Sequence, residues 1–94
     1  MVRKKIENWI DGDSGTFSDG TKFRLARVRA PEKHQSGGSK AKRRAAGMSG
    51  RSRGVVSVKQ VAKDHYGRAI VEMKNKDGSV NDRLIKRGYR NKGR

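Results

Sequence analysis

Ninety-four residues are enough for one domain with a modest core. Lys and Arg number 25 against 9 Asp and Glu, a net charge of +16, and the absence of cysteine excludes disulfides and thiolate chemistry. Hydrophobic residues make up 31% and aromatic residues 5%, values that alone point toward disorder, but short apolar runs between turn signals argue for a folded chain.

The N-terminal Met1-Val2-Arg3-Lys4-Lys5 turns polar at Glu7-Asn8. Without an apolar run it does not read as a signal peptide, which implies an intracellular location. No stretch approaches a membrane span, so no membrane partner is expected. Residues 5–10 alternate loosely and predict a strand, broken by Asp11-Gly12-Asp13-Ser14-Gly15. Thr16-Phe17 opens a second strand and Ser18-Asp19-Gly20-Thr21 closes it; Asp-Gly between strands predicts a hairpin with positive φ at both turn positions. Residues 22–28 form a third strand, with Phe23 and Leu25 on one face and Arg24, Ala26 and Val28 on the other. Pro31 ends it.

A polar, Gly-rich loop follows over 33–39, and Ser39 caps a short helix to about Met48. Ala41, Ala45 and Met48 share one face of this helix, while Lys40, Lys42, Arg43 and Arg44 cover the rest. Val55 to Val61 is the richest stretch in β-branched residues and predicts a fourth strand. Asp64-His65-Tyr66-Gly67 is a turn, and residues 68–74 are a fifth strand ending before Asp77-Gly78. Ser79 caps a second helix with Val80, Leu84 and Ile85 inward and Gly88 beyond its end. The domain therefore covers 1–88, and 89–94 read as a basic tail. Mainly β structure in five short strands, with a helix between the third and fourth, is the element order of an OB-fold barrel.

The charge excess predicts an anionic partner, and nucleic acid leads because each neutralised phosphate releases a counterion. Lys40, Lys42, Arg43, Arg44, Arg87 and Arg90 are the expected backbone contacts. Tyr66 and Tyr89 are the rings expected to be exposed. His34 and His65 lack metal-ligand spacing and read as surface residues.

Three segments in order resemble the staphylococcal nuclease (thermonuclease) family. They are Ile10-Asp11-Gly12-Asp13-Ser14, Arg24-Leu25 through Pro31-Glu32, and Asp64-His65-Tyr66-Gly67-Arg68. Val80-Asn81 with Leu84-Ile85 and Gly88 adds a weaker match. The resemblance implies a staphylococcal-nuclease-like barrel that lacks the family's last helix and part of the loop after Glu32. It implies an endonuclease-type phosphodiesterase acting on DNA or RNA as a monomer. In that role Asp13 is a carboxylate ligand of Ca²⁺, a hard cation that prefers oxygen. Arg24 and Arg68 clamp the phosphate with guanidinium forks, and Glu32 activates water. Read without the resemblance, Asp13 is a turn residue, Arg24 and Arg68 are surface cations, Glu32 pairs with a neighbouring base, and Asp64 shapes its turn.

At the second metal-ligand position, three residues before Glu32, the chain carries Arg29. Arg29 either points away, or reaches the phosphate in place of the metal's charge, or pairs with Asp13 and Glu32 and ends catalysis. Two readings stay open: a metal-assisted phosphodiesterase, and a non-catalytic module that coats or bridges nucleic acid on the same scaffold. A third makes the chain part of a larger nucleic-acid machine.

Dispersed positive charge with no reading helix sets an expectation for binding. Affinity is broad in sequence and falls with salt along a log–log slope of several units, ~0.7–0.9 per phosphate neutralised. Titration at a series of salt concentrations checks this; a slope near zero contradicts it.

Overall fold

The structure is a computed structural model that describes residues 2–32, 35–50 and 53–90. Its elements are β1 (Val2–Asp11), β2 (Ser14–Phe17), β3 (Lys22–Leu25), α1 (Gly38–Gly50), β4 (Val55–Lys63), β5 (Ala69–Asn75), β6 (Gly78–Ser79) and α2 (Val80–Lys86). No helix among the described residues is long and apolar enough to cross a membrane.

β1 is longer than the sequence pattern predicts. Its second half pairs with β2, from Ile6 opposite Phe17 to Asp11 opposite Ser14. Its first half pairs with β4, from Val2 opposite Val58 to Lys5 opposite Val55. The β-branched run of β4 gives Val2–Lys5 a partner that local periodicity does not reveal. β2 pairs antiparallel with β3, and β4 with β5. A parallel pairing of β3 with β5, from Phe23 opposite Ala69 to Leu25 opposite Val71, closes five strands into a barrel. The expected OB-fold is therefore observed, with short β6 as an added edge strand.

The β2–β3 turn departs from the hairpin expected. Gly20 has φ +90° while Asp19 does not enter the left-handed region. The Asp19 carboxylate instead accepts from the Thr21 N–H at 2.9 Å and from Lys4 Nζ at 2.6 Å. An Asx turn with one glycine thus replaces two positive-φ residues.

β3 stops at Leu25, short of the predicted Val28, because the chain turns at Arg27, whose φ is +65°. That conformation is unfavourable for a residue with a Cβ. It is held by the Arg27 guanidinium, which forks onto both Glu72 carboxylate oxygens at 2.8 and 2.9 Å and reaches Asp82 at 2.9 Å.

Phe17, Phe23, Leu25, Val56, Val71 and Leu84 fill the barrel, all fully buried. Phe17 stacks on Phe23 at 4.5 Å, and the edge of Trp9 meets Phe23 at 5.2 Å. α1 starts at Gly38, so Ser39 lies within it rather than capping it. Ala41 and Ala45 face inward as expected, and Met48 packs against the core. The Trp9 indole N–H donates to Ser49 Oγ at 3.0 Å, tying the end of α1 to β1. Ser79 caps α2 as expected, accepting from the Asp82 N–H at 3.1 Å.

The tail begins later than expected. Tyr89 packs partly buried against the core, its N–H donates to the Leu84 carbonyl, and Arg90 bridges to Val28. Tyr89 is therefore not the exposed ring predicted, because the chain turns at Gly88 past the end of α2 and is held against the 28–29 segment. The remaining tail residues, 91–94, and His34 lie outside the described residues.

Asn81 is fully buried on α2. Its Oδ1 accepts from the Met73 N–H at 2.8 Å, and its Nδ2 donates to the carbonyls of Ala26 at 2.9 Å and Val71 at 3.0 Å. One amide thus binds α2, β5 and the turn after β3. Asn81→Ala leaves three backbone groups without this partner and is expected to lower unfolding free energy by about 3 kcal/mol. Urea denaturation measures it; a loss under about 1 kcal/mol contradicts the assignment.

Candidate functional site

The parallel closure decides which side chains meet. Arg24 lies opposite Ser14 on one side and Ile70 on the other. It therefore sits between the β1–β2 turn and the residues that follow Arg68. The Leu25 N–H donates to the Asp13 carbonyl at 2.8 Å, fixing that turn against β3.

Arg68 enters from the turn before β5. Asp64 Oδ1 accepts from the backbone N–H groups of Tyr66 and Arg68, and Asp64 Oδ2 accepts from Arg68 Nε at 2.7 Å. Burial pushes the Asp64 carboxyl up, but its bonds to the Arg68 N–H and guanidinium outweigh that and hold it below the ordinary value. Asp64 thus shapes its turn and aims the arginine. Gly67, with φ +82°, completes the turn. Tyr66 is 74% exposed, as expected, and its ring lies 5.6 Å from the Arg68 guanidinium carbon. His65 stacks beside it.

The loop after β3 brings Arg29 and Glu32. The Arg29 N–H donates to the Tyr89 carbonyl at 3.0 Å. Glu32 is pinned by a reciprocal pair: its N–H donates to Gln35 Oε1 at 2.8 Å, and the Gln35 N–H donates to the Glu32 carbonyl at 2.8 Å. Gly12 lets this loop and α1 come close. A Cβ there would stand 2.8 Å from Ala41 Cβ and 2.9 Å from Ala30 Cβ. The glycine is required by space, since its φ is not in the left-handed region.

Asp13, Arg24, Arg29, Glu32 and Arg68 line one cleft of about 400 Å³, so five residues named from the sequence converge. Arg29 lines this cleft and also an adjoining depression with Pro31 and Ser36. Among the described residues its guanidinium forms no ion pair with Asp13 or Glu32. Asp11 and Gln35 also line the cleft. Asp11 was legible as a strand breaker and as part of the Ile10–Ser14 segment, with no site role assigned to it, and Gln35 carries no signal in its polar loop.

The other expected contacts lie elsewhere. Lys40 and Arg43 are exposed on α1, Lys42 is half-buried there, and Arg90 is exposed beside Val28. Arg44 and Arg87 line a separate groove between α1 and α2.

A family model described as staphylococcal nuclease homologue matches residues 22–92. The chain belongs to that family. The match begins at β3, so it covers Arg24, Arg29, Glu32 and Arg68 but not Asp11 or Asp13. No curated protein matches the chain.

Ca²⁺ takes about 6–8 oxygen ligands. Among the described residues of this nuclease homologue, no three carboxylate or imidazole groups gather closely enough to hold a metal ion. Asp13 is 9% exposed, its Oδ2 accepts from the Ala30 N–H at 3.3 Å, and Arg29 brings a cation into the same cleft. Among the described residues these groups are a poor donor set for a divalent cation.

Asp13 is held above the ordinary carboxylate value by desolvation, which outweighs the Ala30 N–H bond and the attraction of Arg24. Ionising it therefore costs stability. That cost is absent below the unfolded-state value and grows as pH rises through the raised one. Asp13→Asn keeps an acceptor for Ala30 and is expected to melt higher than wild type at pH 7. The two midpoints should converge as pH falls into the ordinary carboxylate range. Thermal melts across pH 3–8 test this; a wild type more stable than the variant at pH 7 contradicts it.

Proposed function

We propose that this domain hydrolyses phosphodiester bonds of DNA or RNA in the cleft, without a requirement for a divalent metal and with little sequence preference. The observation that carries this is that three arginines and Glu32, from three separate segments of the chain, line one cleft. Phosphodiester cleavage needs positive groups at the non-bridging oxygens and a base for water. Arg24, Arg29 and Arg68 supply the charge, Arg29 standing where the family has a metal-binding carboxylate. Glu32, exposed and pinned through its backbone to Gln35, takes a proton from water. The water oxygen forms a new bond to phosphorus, one bridging P–O bond breaks, and the departing oxygen is protonated by solvent. Asp64 acts through Arg68 as a positioning residue.

A second reading is a domain that binds nucleic acid at this cleft without cutting it. It is favoured by the same Arg29 and by the poor donor set for a metal.

Incubation with labelled DNA and RNA, with Ca²⁺, Mg²⁺ or a chelator, separates the two. Cleavage that persists in chelator is expected. It should fall by about 10²–10⁴-fold in Glu32→Gln, with binding changed only slightly. Cleavage at the wild-type level in both Glu32→Gln and Arg68→Gln would trace it to a contaminant. Arg29→Asp is expected to abolish metal-independent cleavage and to introduce Ca²⁺ binding, read by calorimetry. Binding with no cleavage under any condition supports the second reading.

A further inference from the structure

The cleft is electrically balanced: three arginines line it together with Asp11, Asp13 and Glu32. Among the described residues the cationic excess therefore lies outside it. Affinity for a polyanion must come largely from another surface.

Between the C-terminal half of α1 and α2 lies a groove of about 750 Å³. Arg44, Arg83, Lys86 and Arg87 line it against one carboxylate, Asp77. Among the described residues Arg83 is fixed on neutral acceptors. Its Nη2 donates to Asn75 Oδ1 at 2.8 Å and to the Gly78 carbonyl at 3.3 Å, and its Nε donates to the Ser79 carbonyl at 3.2 Å. Asn75 is itself anchored by donating to the Met48 carbonyl at 2.8 Å. The guanidinium is therefore held in place with its charge unneutralised by any bonded carboxylate. On the far side of Asn75, Arg3, Lys74 and Lys76 line a second shallow depression, so the positive surface continues.

The cleft and the groove share no lining residue, and α1 joins them. Gln35, just before the helix, lines the cleft, while Arg44 and Met48 line the groove. The ten residue steps from Gly38 to Met48 span about 15 Å at ~1.5 Å per residue. At ~3.4 Å per nucleotide of one strand, about five nucleotides cover that distance. The exposed Lys40 and Arg43 lie on the helix between the two.

We propose that the α1–α2 groove is a second backbone-phosphate site, which holds the same nucleic-acid strand whose scissile phosphate enters the cleft. This rests on the cleft reading above. The cleft supplies orientation and chemistry, and the groove supplies affinity and a minimum substrate length. Three of the four groove cations are arginines, whose planar fork fits phosphate oxygens.

Fluorescence anisotropy with phosphorothioate-linked single strands, a trinucleotide and a strand of about twelve nucleotides, tests this. Lys86→Gln with Arg87→Gln removes two exposed charges that, among the described residues, make no side-chain hydrogen bond. The longer strand is expected to bind the double variant about tenfold more weakly, with a salt slope smaller by about 2. The trinucleotide should change by less than about twofold. Equal losses at both lengths would mean a general field effect, and no loss at either length an idle groove; each overturns the proposal. Competition by polyglutamate as strong as that of the long strand would also overturn it, in favour of an acidic peptide. Arg24→Gln with Arg68→Gln separates the cleft reading: if trinucleotide binding is unaffected, that reading fails, while the length-dependent loss on the groove remains readable.

Discussion

Three residue pairs between β3 and β5 turn a meandering antiparallel sheet into a barrel. This contact is parallel, and it joins strands far apart in sequence, so it needs support beyond its own ladder. The Ala26 N–H extends it by donating to the Val71 carbonyl at 2.9 Å. Asn81 secures it from the α2 side by satisfying backbone groups of Ala26, Val71 and Met73. Arg27 adds the ion-paired corner onto Glu72 and Asp82. The site depends on the same closure. With Arg24 opposite Ile70, the arginine of β3 and the arginine that precedes β5 are brought to the mouth of one cleft.

The third wall depends on close packing. Gly12, Ala30 and Ala41 meet without room for one more carbon, which sets the height of α1 and of the loop that carries Glu32. The Tyr89 carbonyl then holds the Arg29 N–H from the other side. Residues at both ends of the domain thus fix a loop that has no regular structure of its own. A loop so constrained can present charged side chains at low entropic cost.

Charge is distributed unevenly in a way that suits a polyanion substrate. Anions balance cations where chemistry is proposed, and cations dominate along α1, the groove and the strand edge near Lys74. Asp13 illustrates the cost of the first arrangement. A largely buried carboxylate beside Arg24 opposes folding when ionised, a pattern more common at functional sites than in purely structural positions.

The sequence by itself determined the main strand and helix types, the positions of the turns at Asp19-Gly20 and Asp64–Gly67, the capped second helix, and the barrel class. These follow from periodicity, β-branching and turn chemistry, all of which act over a few residues. It also identified Asp13, Arg24, Arg29, Glu32 and Arg68, because their spacing resembles a family pattern. Only the tertiary structure decided that the five line one cleft and that Gln35 and Asp11 join them. The pairing of Val2–Lys5 with β4, the partial burial of Tyr89 and the α1–α2 groove were likewise decided there. Each depends on contacts between residues dozens of positions apart, set by barrel closure and by the space available around Gly12, and local sequence preference carries no record of either.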